Sequence, residues 1–170
     1  MVKRLLGVAS LVACFVVPMM HAEAHASGNG GPGSTVASPG VLVIVHPGVA
    51  QPSLSVAELR DVLLGNRRFW SGNVRTELYV VSTPSVERTW WVERLSGMSE
   101  IQFKQYWIGQ IFRGRATSAP RAVPDRRTAI ALVAAVPGAL ALVAPGELPP
   151  SVRVVPVNGR LPADTGYPLQ

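Results

Sequence analysis

Three residue types are nearly missing from this chain of 170 residues, and each scarcity closes off a kind of chemistry. Cysteine occurs once, at Cys14; histidine only at His21, His25 and His46; lysine only at Lys3 and Lys104. A lone cysteine forms no intrachain disulfide and supplies no thiolate metal cluster. Only His46 stands clear of the first 26 residues, so a histidine-based metal site or general base has no second member. Phosphate-binding GxxxxGK[ST] loops, HExxH zinc helices, GxSxG nucleophile turns and GxGxxG dinucleotide turns are all absent. No carboxylates pair at a convincing spacing. The chain is therefore expected not to be an enzyme, and no metal or cofactor is expected. Charged residues make up 15%, against about 25% in ordinary globular domains, while apolar residues reach 48%. That balance builds a core rather than a disordered segment.

What is present starts with an export signal. Lys3 and Arg4 form a short basic region, and Leu5 to Val17 form an apolar run. Ala22-Glu23-Ala24 and Ala24-His25-Ala26 both fit the A-x-A cleavage pattern. The apolar run is short for a bilayer core of roughly 30 Å, which favours cleavage over a retained anchor. Residues 1–26 are read as a signal peptide cut near Ala26, with the periplasm as destination. Leu11-Val12-Ala13-Cys14 resembles a lipobox, but Phe15-Val16-Val17 continues the apolar run where a lipoprotein turns polar. A lipid anchor at Cys14 is the lesser alternative, and membrane contact is otherwise expected only through the leader. Cleavage would remove Lys3, Arg4 and Glu23, two of 16 basic and one of 10 acidic side chains, so the remainder stays positively charged. Its arginines are scattered, and nucleic acid is not expected as a partner; a positive balance favours anions in general.

Residues 27–40 are rich in Gly, Ser and Pro and read as a flexible linker. Residues 41–170 are long enough for one modest core. Val41 to His46 is a continuous β-branched run, predicting a buried strand. Ser55 with Glu58 forms a capping box that opens a helix with Leu59, Val62 and Leu63 inward. Leu78 to Ser82 is the next strand. Pro84-Ser85 starts a second helix that stops near Gly97, and Ser99 with Gln102 starts a third. On that third helix Phe103, Trp107 and Ile111 are predicted to form a buried face, widened by Ile101, Ile108 and Phe112. Asp125 caps a fourth helix, ended by Pro137-Gly138. Ala139 to Val143 and Val152 to Val157 read as strands, and Asn158 to Gln170 as an irregular tail. Strands alternating with helices indicate an α/β fold with a mixed or parallel sheet. Trp90, Trp91 and Trp107 are expected in the core; Glu87, Arg88, Glu93 and Arg94 are expected as surface charges.

One local arrangement has chemistry to offer. Strand Leu78–Ser82 runs through Thr83-Pro84 into Ser85 at a helix start. Amides at a helix N-terminus lack intrahelical partners, carry partial positive charge and attract oxyanions. Ser82, Thr83 and Ser85 add hydroxyls, and Arg88 lies one turn in. The plainer alternative is an ordinary serine N-cap, worth about 1 kcal/mol.

The order of segments across residues 41–169 resembles the substrate-binding proteins of phosphate ABC transporters, of the type-2 periplasmic binding protein fold. Leu54-Ser55 with Glu58-Leu59-Arg60-Asp61-Val62-Leu63-Leu64-Gly65 resembles the family's LS-x-x-ELR helix, followed by Trp70 and Gly72. Ile111-Phe112-Arg113-Gly114-Arg115 with Pro120, Val133 with Pro137-Gly138-Ala139, and Gly166-Tyr167-Pro168-Leu169 resemble later family segments. The resemblance implies a single lobe of the two-lobed fold, a mixed sheet flanked by helices. It also implies non-enzymatic capture of phosphate or another small oxyanion through Ser82, Thr83, Ser85 and Arg88, with an ABC permease as partner. Two departures stand out. Glycines that flank the family's anion-loop serine are Pro84 and Val86 here, and its threonine is Glu87. By this resemblance the chain also looks like the second lobe with the returning tail, without most of the first lobe. The alternative is a single-lobe interaction module that has lost ligand binding and presents Phe69, Trp70 and nearby arginines to an envelope protein.

Overall fold

The computed structural model describes residues 40–170; the proposed signal peptide, Cys14, the cleavage site near Ala26 and all but the last residue of the linker lie outside the described residues. The elements run β1 (Leu42–Val45), α1 (Val56–Leu63), β2 (Glu77–Val81), α2 (Val86–Thr89), a π-helical stretch (Trp90–Leu95), α3 (Glu100–Phe112), β3 (Arg121–Val123), α4 (Arg126–Ala135), β4 (Ala139–Val143) and β5 (Arg153–Val154). The five strands form one sheet in the order β3-β2-β4-β1-β5. Strands β3, β2 and β4 are parallel, while β1 runs antiparallel to both β4 and β5. The sheet is thus mixed, as expected.

The alternation of side chains along each strand divides the core into two layers. All of β4 is buried. Its Ala139, Ala141 and Val143 meet Ala129, Ile130 and Val133 of α4 on one face. Leu140 and Leu142 point the other way, into a larger core with Leu59 and Leu63 of α1, Trp91, Phe103 and Trp107. Two of the three β4 residues facing α4 are alanines, which let that helix approach closely. The opposite layer is filled by leucines and tryptophans.

Local capping follows the sequence. The Ser55 amide donates to Glu58 Oε2 at 2.8 Å and the Glu58 amide returns a bond to Ser55 Oγ at 3.1 Å, closing the capping box. Ser99 and Gln102 repeat it on α3, and the Asp125 carboxylate accepts from the Thr128 amide at 2.8 Å on α4. Trp91 and Trp107 are buried, and Trp90 is half-buried beneath the Arg94 guanidinium. The last strand is shorter than expected, Arg153–Val154 rather than 152–157, because Pro156 has no N–H to extend the ladder. The tail is irregular yet anchored: Tyr167 and Leu169 are buried, and Leu169 O accepts from the Val41 amide at 2.9 Å.

Three expectations are corrected. Strand β3 is additional to the expected strands; Arg121–Val123 is a three-residue edge strand with two exposed positions, too short and too polar to show a pattern. The second helix changes to π-helical winding after Thr89. On α3 only Phe103 and Trp107 are buried, whereas Ile101, Ile108, Ile111 and Phe112 are exposed. The helix lies at the margin of its layer, so its apolar circumference exceeds what the sheet can cover.

Gly138 ties several of these parts together. Its carbonyl accepts from Trp70 Nε1 at 2.8 Å and from the Glu77 amide at 3.1 Å. Its φ is +80°, and a Cβ there would lie 2.0 Å from Arg75 O. Gly138→Ala is expected to lower unfolding free energy by more than about 2 kcal/mol, from strain and steric conflict together. Urea denaturation measures this; a loss below about 0.5 kcal/mol would contradict the packing described.

Candidate functional site

The carboxyl ends of the parallel strands β2, β3 and β4 open on one edge of the sheet, and α2 and α4 both begin there. In open α/β sheets this edge is where ligands bind. The structure brings Ser82, Thr83 and Ser85 together at this edge, but their side chains already have bonds. Ser82 Oγ donates to Val123 O at 3.0 Å, and Thr83 Oγ1 donates to Pro124 O at 3.3 Å. These bonds stitch the end of β2 to the end of β3. Ser85 caps α2: its Oγ accepts from the Arg88 amide at 3.2 Å. Its hydroxyl proton is free to donate, and Val86 and Glu87, as the first residues of the helix, have amides with no intrahelical acceptor.

Arg88 is turned toward α3. Its Nε and Nη2 donate to the two carboxylate oxygens of Glu100, both at 2.7 Å, and the guanidinium lies 5.9 Å from the Phe103 ring centre. This bidentate pair holds the Glu100 carboxyl below the usual carboxylate range. The pairing was not legible in the sequence, because the two residues are twelve apart on separate helices.

Glu87 corrects a further expectation. It is 6% exposed rather than a surface charge. Its Oε1 accepts from the Ala144 amide at 2.9 Å, just beyond β4. Arg126 at the start of α4 donates to Ala144 O at 3.1 Å and Glu147 O at 3.0 Å. Helices on opposite faces of the sheet therefore clip the same residue at the end of β4. An acid in the first turn of a helix was the one sequence signal for Glu87, since the helix dipole favours negative charge there.

A second cationic region surrounds Phe69, which is 53% exposed. Arg68, Arg75 and Arg121 share a shallow pocket with it. Glu77 lines the same pocket and pairs with Arg75 at 3.3 Å and Arg121 at 3.8 Å, while Arg67 is bound to Glu58 at 2.6 Å. Trp70 does not belong to this surface: it is buried with its indole N–H bonded to Gly138 O, so the expectation that it faces a partner is corrected. Its ring is committed to the core that carries the sheet. Among the described residues no cluster of His, Cys, Asp and Glu could hold a metal ion, and no helix is long and apolar enough to cross a membrane.

No protein-family model matches the sequence, and no curated protein matches it. Solved structures do. A Clostridium perfringens protein described as a phosphate ABC transporter substrate-binding protein, with bound phosphate, aligns with a TM-score of 0.61 and 14% identity, over 77% of this chain and 52% of its own. An ABC-type phosphate transport receptor from Vibrio cholerae aligns with a TM-score of 0.58 and 16% identity, over 74% of this chain and 48% of its own. At these identities the likeness establishes the fold. This chain spans about half the length of the structures it matches, and its α/β fold with a five-stranded mixed sheet corresponds to about half of a type-2 periplasmic binding protein.

Glu58 and Glu100 give the site region a defined pH response. Glu58 is held below the ordinary carboxylate range chiefly by the Ser55 amide and also by Arg67, and Glu100 by Arg88. Lowered folded-state pKa values mean that the stabilisation is present above the unfolded value and is lost as pH falls through the folded one. Glu100→Gln is expected to be less stable than wild type at neutral pH, with the gap closing on acidification. Thermal melts at neutral pH and near pH 3 check this; a gap independent of pH would exclude the ion pair as its source.

Proposed function

We propose that this domain is an oxyanion-binding lobe of the periplasm, exported by residues 1–26, which takes phosphate or a similar small oxyanion at the start of the Ser85 helix. The observation that carries the reading is the position of that start, at the carboxyl edge of three parallel strands in a fold shared with phosphate-binding proteins. The Ser85 hydroxyl and the Val86 and Glu87 amides are the donors at hand. Ser82 and Thr83 join by turning away from the carbonyls of Val123 and Pro124. Arg88 contributes charge once it releases Glu100. No catalytic step is assigned to the site.

Two features set the strength. The buried carboxylate of Glu87 points away, to Ala144, but its charge stays close to the helix start. A single lobe also leaves one side of the anion in water unless a permease or another partner supplies the second wall. Affinity is therefore expected to be weak, roughly millimolar, or about −4 kcal/mol. Calorimetric titration with phosphate tests this. Ser85→Ala should weaken binding, and Glu100→Gln, which frees Arg88, should tighten it several-fold. No heat and no thermal shift at several millimolar phosphate would refute the reading.

A second reading is an interaction module of the cell envelope. It is favoured by the internal bonding of Ser82, Thr83 and Arg88 and by exposed Phe69 among Arg68, Arg75 and Arg121. Its residue to alter is Phe69, since changing Trp70 would disturb the core.

A further inference from the structure

Four of the seven large apolar side chains exposed among the described residues lie on one helix. They are Ile101, Ile108, Ile111 and Phe112 of α3, at 70%, 58%, 42% and 90% exposure. Beside the helix runs a groove of about 410 Å³ whose floor includes Val80, Phe103, Trp107 and Ala122. Lining residues from Glu100 to Ile111 follow α3 along its length, about 16 Å at 1.5 Å per residue. A protein that buries Trp107 at the bottom of this groove leaves its rim of isoleucines uncovered.

We propose that the groove is filled by a second copy of this chain, with the two α3 helices packed antiparallel about a twofold axis near Tyr106. Three observations support that occupant. First, Ile101, Lys104, Ile108 and Ile111 all line the groove, and their spacing of three, four and three residues reads the same in both directions. Reversal about the axis sets Ile101 against Ile111 of the second copy and the Lys104 stem against Ile108, which is the self-complementarity an isologous interface requires. Second, the face leaves no acidic group to be buried. Glu100 is held by Arg88 at 2.7 Å, so no carboxylate is stranded in the seam. Lys104 is exposed and long enough to lay its methylenes along the seam and keep its ammonium in water. Third, the exposed apolar area is a large part of what a dimer interface needs. The exposed parts of these four side chains offer roughly 500 Å² per copy, toward the ~800 Å² that each partner gives a standard interface. The Lys104 stem and the exposed loop 113–119 add to it. Phe112, which does not line its own groove, extends from the end of one helix toward the Glu100 end of the other groove.

Sedimentation equilibrium of the natural protein, in the processed form that the cell yields, tests this from about 1 μM to about 500 μM without phosphate, so the result is independent of oxyanion binding. The expected result is a mass rising toward two chains across that range. Ile108→Glu and Phe112→Glu should each hold the mass at one chain while leaving the melting temperature of the monomer unchanged, because both positions are exposed. A single-chain mass at every concentration would overturn the proposal. So would a dimer that survives both substitutions, since its interface would then lie elsewhere, or a wild-type monomer whose groove is closed instead by an acidic amphipathic peptide.

Discussion

The fold depends on one constraint, the complete burial of β4 between two layers of unequal depth. A strand covered on both faces must satisfy all of its backbone within the sheet and place every side chain in a core. β4 does so by pairing with β2 on one side and β1 on the other, in opposite orientations. Its alanines admit α4 at close range, while Leu140 and Leu142 reach into the larger layer around Trp91. Both of its ends are then fixed by polar contacts. Gly138 before it accepts from Trp70 and Glu77, and Ala144 after it is held by Glu87 and Arg126.

This fixation sets the character of the candidate site. The edge at which β2, β3 and β4 end is where helix starts and unpaired amides gather, the feature on which the proposed anion site rests. The same edge is tied together by internal bonds from Ser82, Thr83, Glu87 and Arg126. Arg88 is drawn aside by Glu100. Electrostatic attraction of an anion to the helix start would therefore compete with contacts that hold this end of the sheet together.

The unequal layers also account for α3. α4 lies over the centre of the sheet and buries its inner face with small partners. α3 lies toward the β3 edge, where a three-residue strand gives little surface to cover it. The result is a helix whose Phe103 and Trp107 belong to the core while its isoleucines do not. Its apolar residues surround most of the helix, and a periodic pattern of that width does not say which part faces the sheet.

What the sequence determined by itself was local. Capping boxes at Ser55 and Ser99, the Asp125 cap, the Pro137-Gly138 stop, the buried run of β1, the strand β4 and the tryptophan core at positions 91 and 107 were all legible, because each rests on residues close in the chain or on a strong apolar run. The α/β class followed from their order, and the phosphate-binding-protein resemblance followed from segments that keep that order. Tertiary structure alone decided the pairings that cross the chain. It joined Arg88 to Glu100, buried Glu87 against Ala144, turned Trp70 inward to Gly138, and left the outer face of α3 bare. Each depends on which side of a helix meets the sheet and how far the neighbouring strand extends. Those quantities are set by packing in three dimensions, and residue spacing carries them only weakly.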